Sequence, residues 1–544
     1  MKTIKYTACV IAAAALGACS DIDTIVPEGG TLLDSQVKQT TEAIPERADA
    51  VYSGMYTKLG QPRTLASRPD DFSFIMIAFS GDMEAADLVL PDSGYNWFSV
   101  CGDLTSRNAD YWNPYLRYAY VYNEIAAAND VLKSYPSDSE DKEIIYKIAQ
   151  AKAVRAFSYL NLAPYFQFSY AAGASDKPCV PIVTESTTDF TQNARASVAE
   201  VYKLIIDDLN YAVDNLDGYK RTDKSKIDRQ VALGLRARAY LNMQEWEKAA
   251  EDAAAAAEGY TPATIAEVSV PSFYNIADHN WIWGYDMTLD LVQGDAAYST
   301  SSAWVRSFSG NGYAPACQVY SCCNNILYDK ISDTDVRKGW WVNADLESPL
   351  LDKVVWNGKS GVELAEMEIT DAKLAFLPYT NVKFGMFTIG GATNEEDWPF
   401  MRVEEMILIQ AEALYKSGKT AEGKQMLTDF VKTYRDPSYN PDASAGKTFE
   451  DELWFQRRVE LWGEGFANTD TRRLNKPLVR FHKSSEASSN VPQAFRFNMT
   501  ADDGWWLMRF TTSEKNTNFA IVDNTGGSLP VTGQNGDLLD GVTD

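Results

Sequence analysis

The sequence predicts a mostly α-helical protein in which close-packed helical pairs frame a loop-rich region with short strands. Three observations carry this reading. Small and aromatic residues recur at helical spacing in residues 228–258 and 406–434, S/T-x-x-E helix-start signatures precede apolar-periodic runs, and residues 270–398 turn to Gly, Ser, Asn and aromatics. The 544 residues are 45% hydrophobic and 23% charged, which is ample for a folded core and excludes a disordered chain. Lys and Arg number 50 against 75 Asp and Glu, and the formal charge of −25 repels phosphate backbones, so nucleic acid is excluded as a partner. Two histidines, His279 and His482, leave no three-His metal site and little room for His-based catalysis, which points to binding.

At the N-terminus, Lys2 and Lys5 precede an apolar run from Tyr6 to Leu16, the layout of a secretory signal over residues 1–18. Leu16-Gly17-Ala18-Cys19 resembles the lipobox of bacterial lipoproteins, which makes Cys19 the expected site of a covalent lipid. Ser20-Asp21-Ile22-Asp23 resembles the surface-export signal of Bacteroidetes lipoproteins. Residues 19–40, with Pro27-Glu28-Gly29-Gly30, read as a polar tether. No later stretch approaches about 18 continuous apolar residues, so the lipid is the expected anchor. Cys101, Cys179, Cys317, Cys322 and Cys323 then remain, an odd number with a vicinal pair, and read as small buried thiols.

Residues 41–544 read as a single domain, with a helical N-terminal half (41–269), an aromatic loop-rich region (270–398) and a helical C-terminal part (399–544). Ser137 with Glu140, Ser197 with Glu200 and Thr264 with Glu267 each offer a capping box. From Asp228 to Glu258 two helices join around Asn242–Glu245, and Ala237, Tyr240, Ala249 and Ala256 fall at the spacing of a tetratricopeptide repeat. Ala411, Leu414, Gly423 and Phe430 give a second such pair, with Gly423 in place of the usual Ala. A third pair, Glu140–Phe166 and Ser197–Leu216, is split by an insertion containing Pro178 and Pro181. The spacing between copies is unsteady, so the expectation is a helical frame with long loops, not a regular solenoid. Trp281-Ile282-Trp283-Gly284-Tyr285 alternates as a strand does.

Arg402-Val403-Glu404-Glu405 through Ala411-Glu412-Ala413-Leu414 is similar to the R-x-x-E-x-x-L-x-x-A-E-A helix of the SusD/RagB family. Arg457-Arg458-Val459-Glu460-Leu461, Glu464-Gly465, Asp470, Arg472 and Arg473 resemble that family's R-R-x-E-L-x-x-E-G…D-x-R-R segment, with Gln456 where Glu is common and Phe466 where His often sits. Arg155-Ala156-Phe157-Ser158-Tyr159 resembles its N-terminal helical signature. The charged motifs read as scaffolding. Arg402 and Glu405 are expected to pair at i, i+3 on a helix, and Arg457, Glu460 and Glu464 to share one helical face.

The resemblance implies the SusD-like α fold and a lipid-anchored protein on the exterior of the outer membrane. Such a protein holds oligosaccharide or polysaccharide for a partner SusC-like, TonB-dependent transporter, with no catalytic residues, metal or other cofactor. The enzyme alternative is a glycoside hydrolase with a carboxylate pair. Glu395-Glu396-Asp397 is the densest acidic cluster of the loop region, but it precedes an expected helix at Pro399, where acids suit the dipole. A tetratricopeptide-type protein-binding scaffold is a further alternative. The many carboxylates have calcium chemistry, yet the sequence holds no EF-hand loop.

The glycan site is expected where tryptophans fall in loops. Residues 281–341 hold Trp281, Trp283, Trp304, Trp340 and Trp341, five of the 14 tryptophans. The four besides Trp304 are expected to be buried. Trp304 sits in a Ser/Gly-rich loop with Arg306, followed by Tyr313 and Tyr320, while Tyr95-Asn96-Trp97 forms a second aromatic loop in the region where the family commonly contacts ligand. Trp97 and Trp304 are thus the expected stacking platforms, with Asn96, Asp82 and Arg306 as polar partners and Tyr95, Tyr313 and Tyr320 around them.

Overall fold

The structure, a computed structural model, describes residues 46–92, 96–356, 358–361, 363 and 376–544. Its frame is a run of helices: α1 (Glu46–Lys58), α2 (Ser73–Glu84), α3 (Trp112–Ser134), α4 (Lys142–Phe166), α5 (Val198–Asn215), α6 (Arg229–Met243), α7 (Trp246–Ala257), α8 (Val403–Lys416) and α9 (Thr420–Tyr434). Leaving out α2, each packs on the next, so the stack continues from α7 to α8 although the chain between them leaves and returns through some 145 residues.

The helix starts follow side-chain chemistry. The Ser197 hydroxyl accepts the Glu200 amide at 3.2 Å while the Glu200 carboxylate accepts the Ser197 amide at 2.8 Å, closing the expected box on α5. Thr264 and Glu267 do the same on a single turn, Ile265–Val268. Ser137 and Glu140 do not. The Pro136 carbonyl accepts the Ser139 amide in a turn, and α4 begins only at Lys142, capped by the Asp141 carboxylate on the Glu143 amide.

Helix proximity explains the small residues. Ala237, Ala249 and Ala256 are wholly buried between α6 and α7, joined through Gln244 in the left-handed region at φ 63°. At Gly423 a Cβ would lie 2.6 Å from the Ala411 carbonyl oxygen and 2.7 Å from the Tyr415 nitrogen, so α8 and α9 approach too closely even for Ala.

The loop-rich region packs on this frame. Trp281–Tyr285 pairs antiparallel with Trp398–Arg402, with Trp281 opposite Arg402 and Tyr285 opposite Trp398, and Trp281, Trp283, Trp340 and Trp341 are all fully buried. The strand corrects the helix expected at Pro399. Pro399 has no amide to donate but sits within a two-stranded ladder, and the helix starts at Val403. The acids before it therefore serve loops. Glu396 accepts the Ser302 hydroxyl at 2.6 Å, and Asp397 accepts the Ile276 and Met287 amides at 2.8 and 2.9 Å.

Buried ion pairs tie the C-terminal part together. Arg402 reaches Glu404 at 2.9 Å, Glu464 at 2.8 Å and Glu460 at 3.3 Å, Arg435 reaches Glu460 at 2.8 Å, Arg337 reaches Glu460 at 3.3 Å, and Lys383 reaches Glu464 at 2.7 Å. Burial alone would raise the Glu460 carboxyl, but Arg435, Arg402 and Arg337 hold it far below the usual carboxylate range. Arg402 does not pair with Glu405, because Arg402 ends the strand, and Glu405 turns to Arg238 on α6 instead. Nor do Arg457, Glu460 and Glu464 form one helical face. Their helix, α10 (Phe449–Glu460), stops before Glu464, and Arg457 pairs with Asp470 at 2.7 Å.

Candidate functional site

The site is assembled by loops at one end of α3. The loop 63–71 is closed by Asp71, whose carboxylate accepts the Leu65 and Ala66 amides at 2.8 and 2.6 Å and whose carbonyl accepts the Arg63 amide at 2.8 Å. This loop presents Arg63 and Arg68. Arg68 donates from Nε and Nη2 to the two oxygens of Asp70, at 2.8 and 3.0 Å, and the Asp70 carboxylate is wholly buried.

The held guanidinium lies over two indoles, 4.6 Å from the Trp97 ring centre and 5.6 Å from that of Trp112. Both rings are open to solvent, Trp97 at 38% and Trp112 at 51%. Trp112 opens α3 and meets Tyr115 one turn on, edge to face at 5.4 Å. Trp97 also neighbours Tyr313, where its polar influence partly offsets the burial that raises the Tyr313 hydroxyl's pKa. Tyr313 stacks on Trp304 with centroids 4.5 Å apart and planes 3° from parallel, and half-exposed Tyr298 stands edge-on to it at 6.4 Å. Arg63 donates to the Ser299 hydroxyl at 3.1 Å and lies 3.6 Å from Asp295. Trp112, Arg68, Trp97, Tyr313 and Tyr298 thus form one continuous aromatic belt. A hollow of about 220 Å³ lined by Asp110, Tyr111, Trp112, Tyr115 and Thr512 adjoins it. A larger hollow of about 650 Å³ near Tyr328, Lys338 and Glu347 offers no comparable ring face, since Trp341 on its wall is fully buried.

Several residues expected at the ligand surface serve as supports. Trp304 is 0% exposed. Its indole donates to the Pro69 carbonyl at 3.0 Å and its edge meets Phe98 at 4.9 Å, so it backs Tyr313 and is no open platform. Arg306 is buried, with its guanidinium donating to the carbonyls of Gly385, Phe273 and Asp397, and burial brings its pKa down to about 10. Tyr320 is buried against Phe376. Asp82 on α2 is buried and accepts the Gly465 and Ala467 amides at 2.8 and 2.9 Å, with burial raising its pKa to about 7. Asn96 is buried too, but it donates to the Pro91 carbonyl and accepts the Phe98 amide, which fixes the loop that carries Trp97. Cys19 and Tyr95 lie outside the described residues.

The structure adds Arg63, Arg68, Trp112, Tyr115 and Tyr298. Adjacent Tyr111 and Trp112 at a helix start were the available signal, since an aromatic pair at a polar junction has no core to enter. Among the described residues no group of three or more His, Cys, Asp or Glu is gathered as a metal would require, and Cys101, Cys179, Cys317, Cys322 and Cys323 are unpaired. No described helix is long and apolar enough to cross a membrane.

The helical stack thus carries exposed aromatic rings on loops at one end of α3. Residues 78–241 match the family model described as starch-binding, associating with the outer membrane, and residues 355–521 match that of the SusD family. No curated protein sequence matches the chain. A SusD-like carbohydrate binding protein from Bacteroides vulgatus shares the fold with a TM-score of 0.70 at 24% identity, over 88% of this chain and 97% of that one. A second SusD superfamily protein from Bacteroides vulgatus gives 0.68 at 19%, over 89% and 99%. A laminarin binding SusD-like protein gives 0.61 at 19%, over 88% and 99%. The chain belongs to the SusD/RagB family.

Proposed function

We propose that the protein is a cell-surface receptor that holds oligosaccharide on the belt formed by Trp112, Trp97 and Tyr313 and delivers it to a SusC-like, TonB-dependent transporter. The observation that carries this is the pair of partly exposed indoles held in place by one guanidinium, which leaves the rest of each ring surface open and preorganised for sugar rings. The carbohydrate-binding relative and the laminarin-binding relative support glycan as the ligand class. Binding requires no bond to be made or broken. Of the carboxylates beside the belt, Asp70 is occupied by Arg68 and Asp71 by two amides, which suits these two to holding the loop more than to hydrolysis.

Anchoring is through lipid at Cys19, with the chain facing the cell exterior. Cys19→Ala is expected to abolish incorporation of labelled palmitate, and protease treatment of intact cells to release the wild-type protein. Gentle detergent extraction is expected to retain a large barrel protein with the chain. The test of the whole reading is a panel of soluble glycans assayed for binding and for cleavage. Binding without turnover, weakened in Trp97→Ala and in Trp112→Ala, is the expected result, and turnover or unaltered binding would refute it.

A further inference from the structure

We infer that the belt takes neutral glycans and rejects uronate- or sulfate-bearing ones, because Asp70 and Asp295 cancel the charges of the belt's two arginines, Arg68 and Arg63. The inference rests on the belt being the glycan site. A guanidinium beside exposed rings is ordinarily an anion site, since its Nε and Nη edge matches a carboxylate with two parallel hydrogen bonds. In Arg68 that edge is already filled by Asp70 from the same loop, at 2.8 and 3.0 Å. A ligand carboxylate could take the edge only by leaving the fully buried Asp70 carboxylate without its partner, an exchange that loses more than it gains.

Arg63 is held more loosely, by one hydrogen bond and an exposed carboxylate. Its Nε donates to Ser299, and its Nη1 lies 3.6 Å from Asp295, which is itself almost fully exposed and faces the solvent from which a glycan arrives. At the far end, Asp110 lines the hollow beside Trp112 and accepts the Thr512 hydroxyl. Each cation of the belt therefore has its own carboxylate, and a further carboxylate stands at the rim beyond Trp112. The Nη1 group of Arg68 lies outside the Asp70 pair and has the geometry to donate to hydroxyl oxygens, which neutral sugars supply in abundance. The formal charge of −25 on the whole chain adds repulsion of polyanions at longer range, screened over about 8 Å in physiological salt.

The test is affinity electrophoresis of the full-length protein against neutral polymers (laminarin, amylopectin, galactomannan) and acidic ones (polygalacturonate, alginate, chondroitin sulfate). Retardation by at least one neutral polymer and by none of the acidic ones is expected. Titration of an oligogalacturonide at low salt adds a second readout. Asp295→Asn is expected to raise its weak affinity by about two- to fivefold, the range of an exposed ion pair. Strong, salt-sensitive binding of an acidic polymer that is lost in Trp97→Ala would overturn the charge argument and leave the belt as the site. Failure of every neutral polymer, or neutral binding that survives in the Trp97→Ala/Trp112→Ala double variant, would overturn both.

Discussion

The Arg68 guanidinium sits over Trp97 at 4.6 Å while the buried Asp70 carboxylate holds it from the side at 2.8 Å. That relation separates two kinds of substitution. Trp97→Ala and Trp112→Ala remove half-exposed rings, and each is expected to cost about 1–3 kcal/mol of glycan affinity, by analogy with base stacking on aromatics, with little change in Tm. Arg68→Ala is expected to lower both affinity and stability, because it leaves Asp70 buried without its cation. Titration calorimetry read beside scanning calorimetry distinguishes the two patterns.

Trp304 belongs to the second kind. It is fully buried between Phe98 and the Tyr313 ring, so Trp304→Ala opens a cavity and is expected to destabilise the fold by about 3–5 kcal/mol. Urea unfolding checks this. A variant as stable as wild type with reduced affinity would instead make Trp304 a ligand contact.

Glu460 is shared by Arg435, Arg402 and Arg337, all buried. Glu460→Gln keeps the shape but removes the charge that three guanidiniums face, and a loss of about 3–5 kcal/mol of unfolding free energy is expected, the cost of breaking a buried pair. Unfolding of the variant in urea measures it.

Glu124 gives a pH signature of the opposite kind. It lies buried on α3, where its carboxylate accepts the Tyr120 and Ser158 hydroxyls, and burial raises its pKa from 4.5 to about 8. The folded state therefore keeps a proton that the unfolded chain releases near pH 4.5. The stabilisation this provides is complete below that pH and is lost as pH climbs toward 8. Glu124→Gln cannot ionise, so its stability relative to wild type is expected to rise steadily between pH 5 and 8. A constant difference across the window would contradict the assignment.

Gly423→Ala should ordinarily help a helix by about 1 kcal/mol. Here the new Cβ would meet the α8 backbone at 2.6 Å, so a net loss of about 1–3 kcal/mol is expected from forcing α8 and α9 apart. Thermal unfolding of the variant decides the sign.

The helical frame was legible because close packing leaves small residues at fixed intervals: Ala237, Ala249 and Ala256 announced the α6–α7 contact directly. Gly423 looked like a departure from the repeat and is instead a point where α8 and α9 approach too closely for a Cβ. The site was legible only in part. Trp97 was readable as a loop aromatic, but Trp304 lies in an equally polar stretch, and its burial follows from Pro69 and Phe98, far away in the chain. Composition around a residue reports its local solvent preference and cannot report which distant loop covers it. Arg306 shows the same, since its partners are carbonyls of residues 273, 385 and 397, which no side-chain pattern encodes. The charged motif at Arg402 serves as scaffolding, as read, although the partners of Arg402 are Glu404 beside it and Glu460 and Glu464 across the fold, not Glu405.

The central claim is that Trp97 and Trp112 are the faces on which glycan rests. The most direct measurement is a crystal structure of the protein with an oligosaccharide to which it binds in solution. Sugar rings stacked on the Trp97 and Trp112 faces, with hydroxyls within hydrogen-bond distance of Arg68, are the expected result. A well-ordered oligosaccharide seated elsewhere on the molecule, with both indoles bare, would contradict the account.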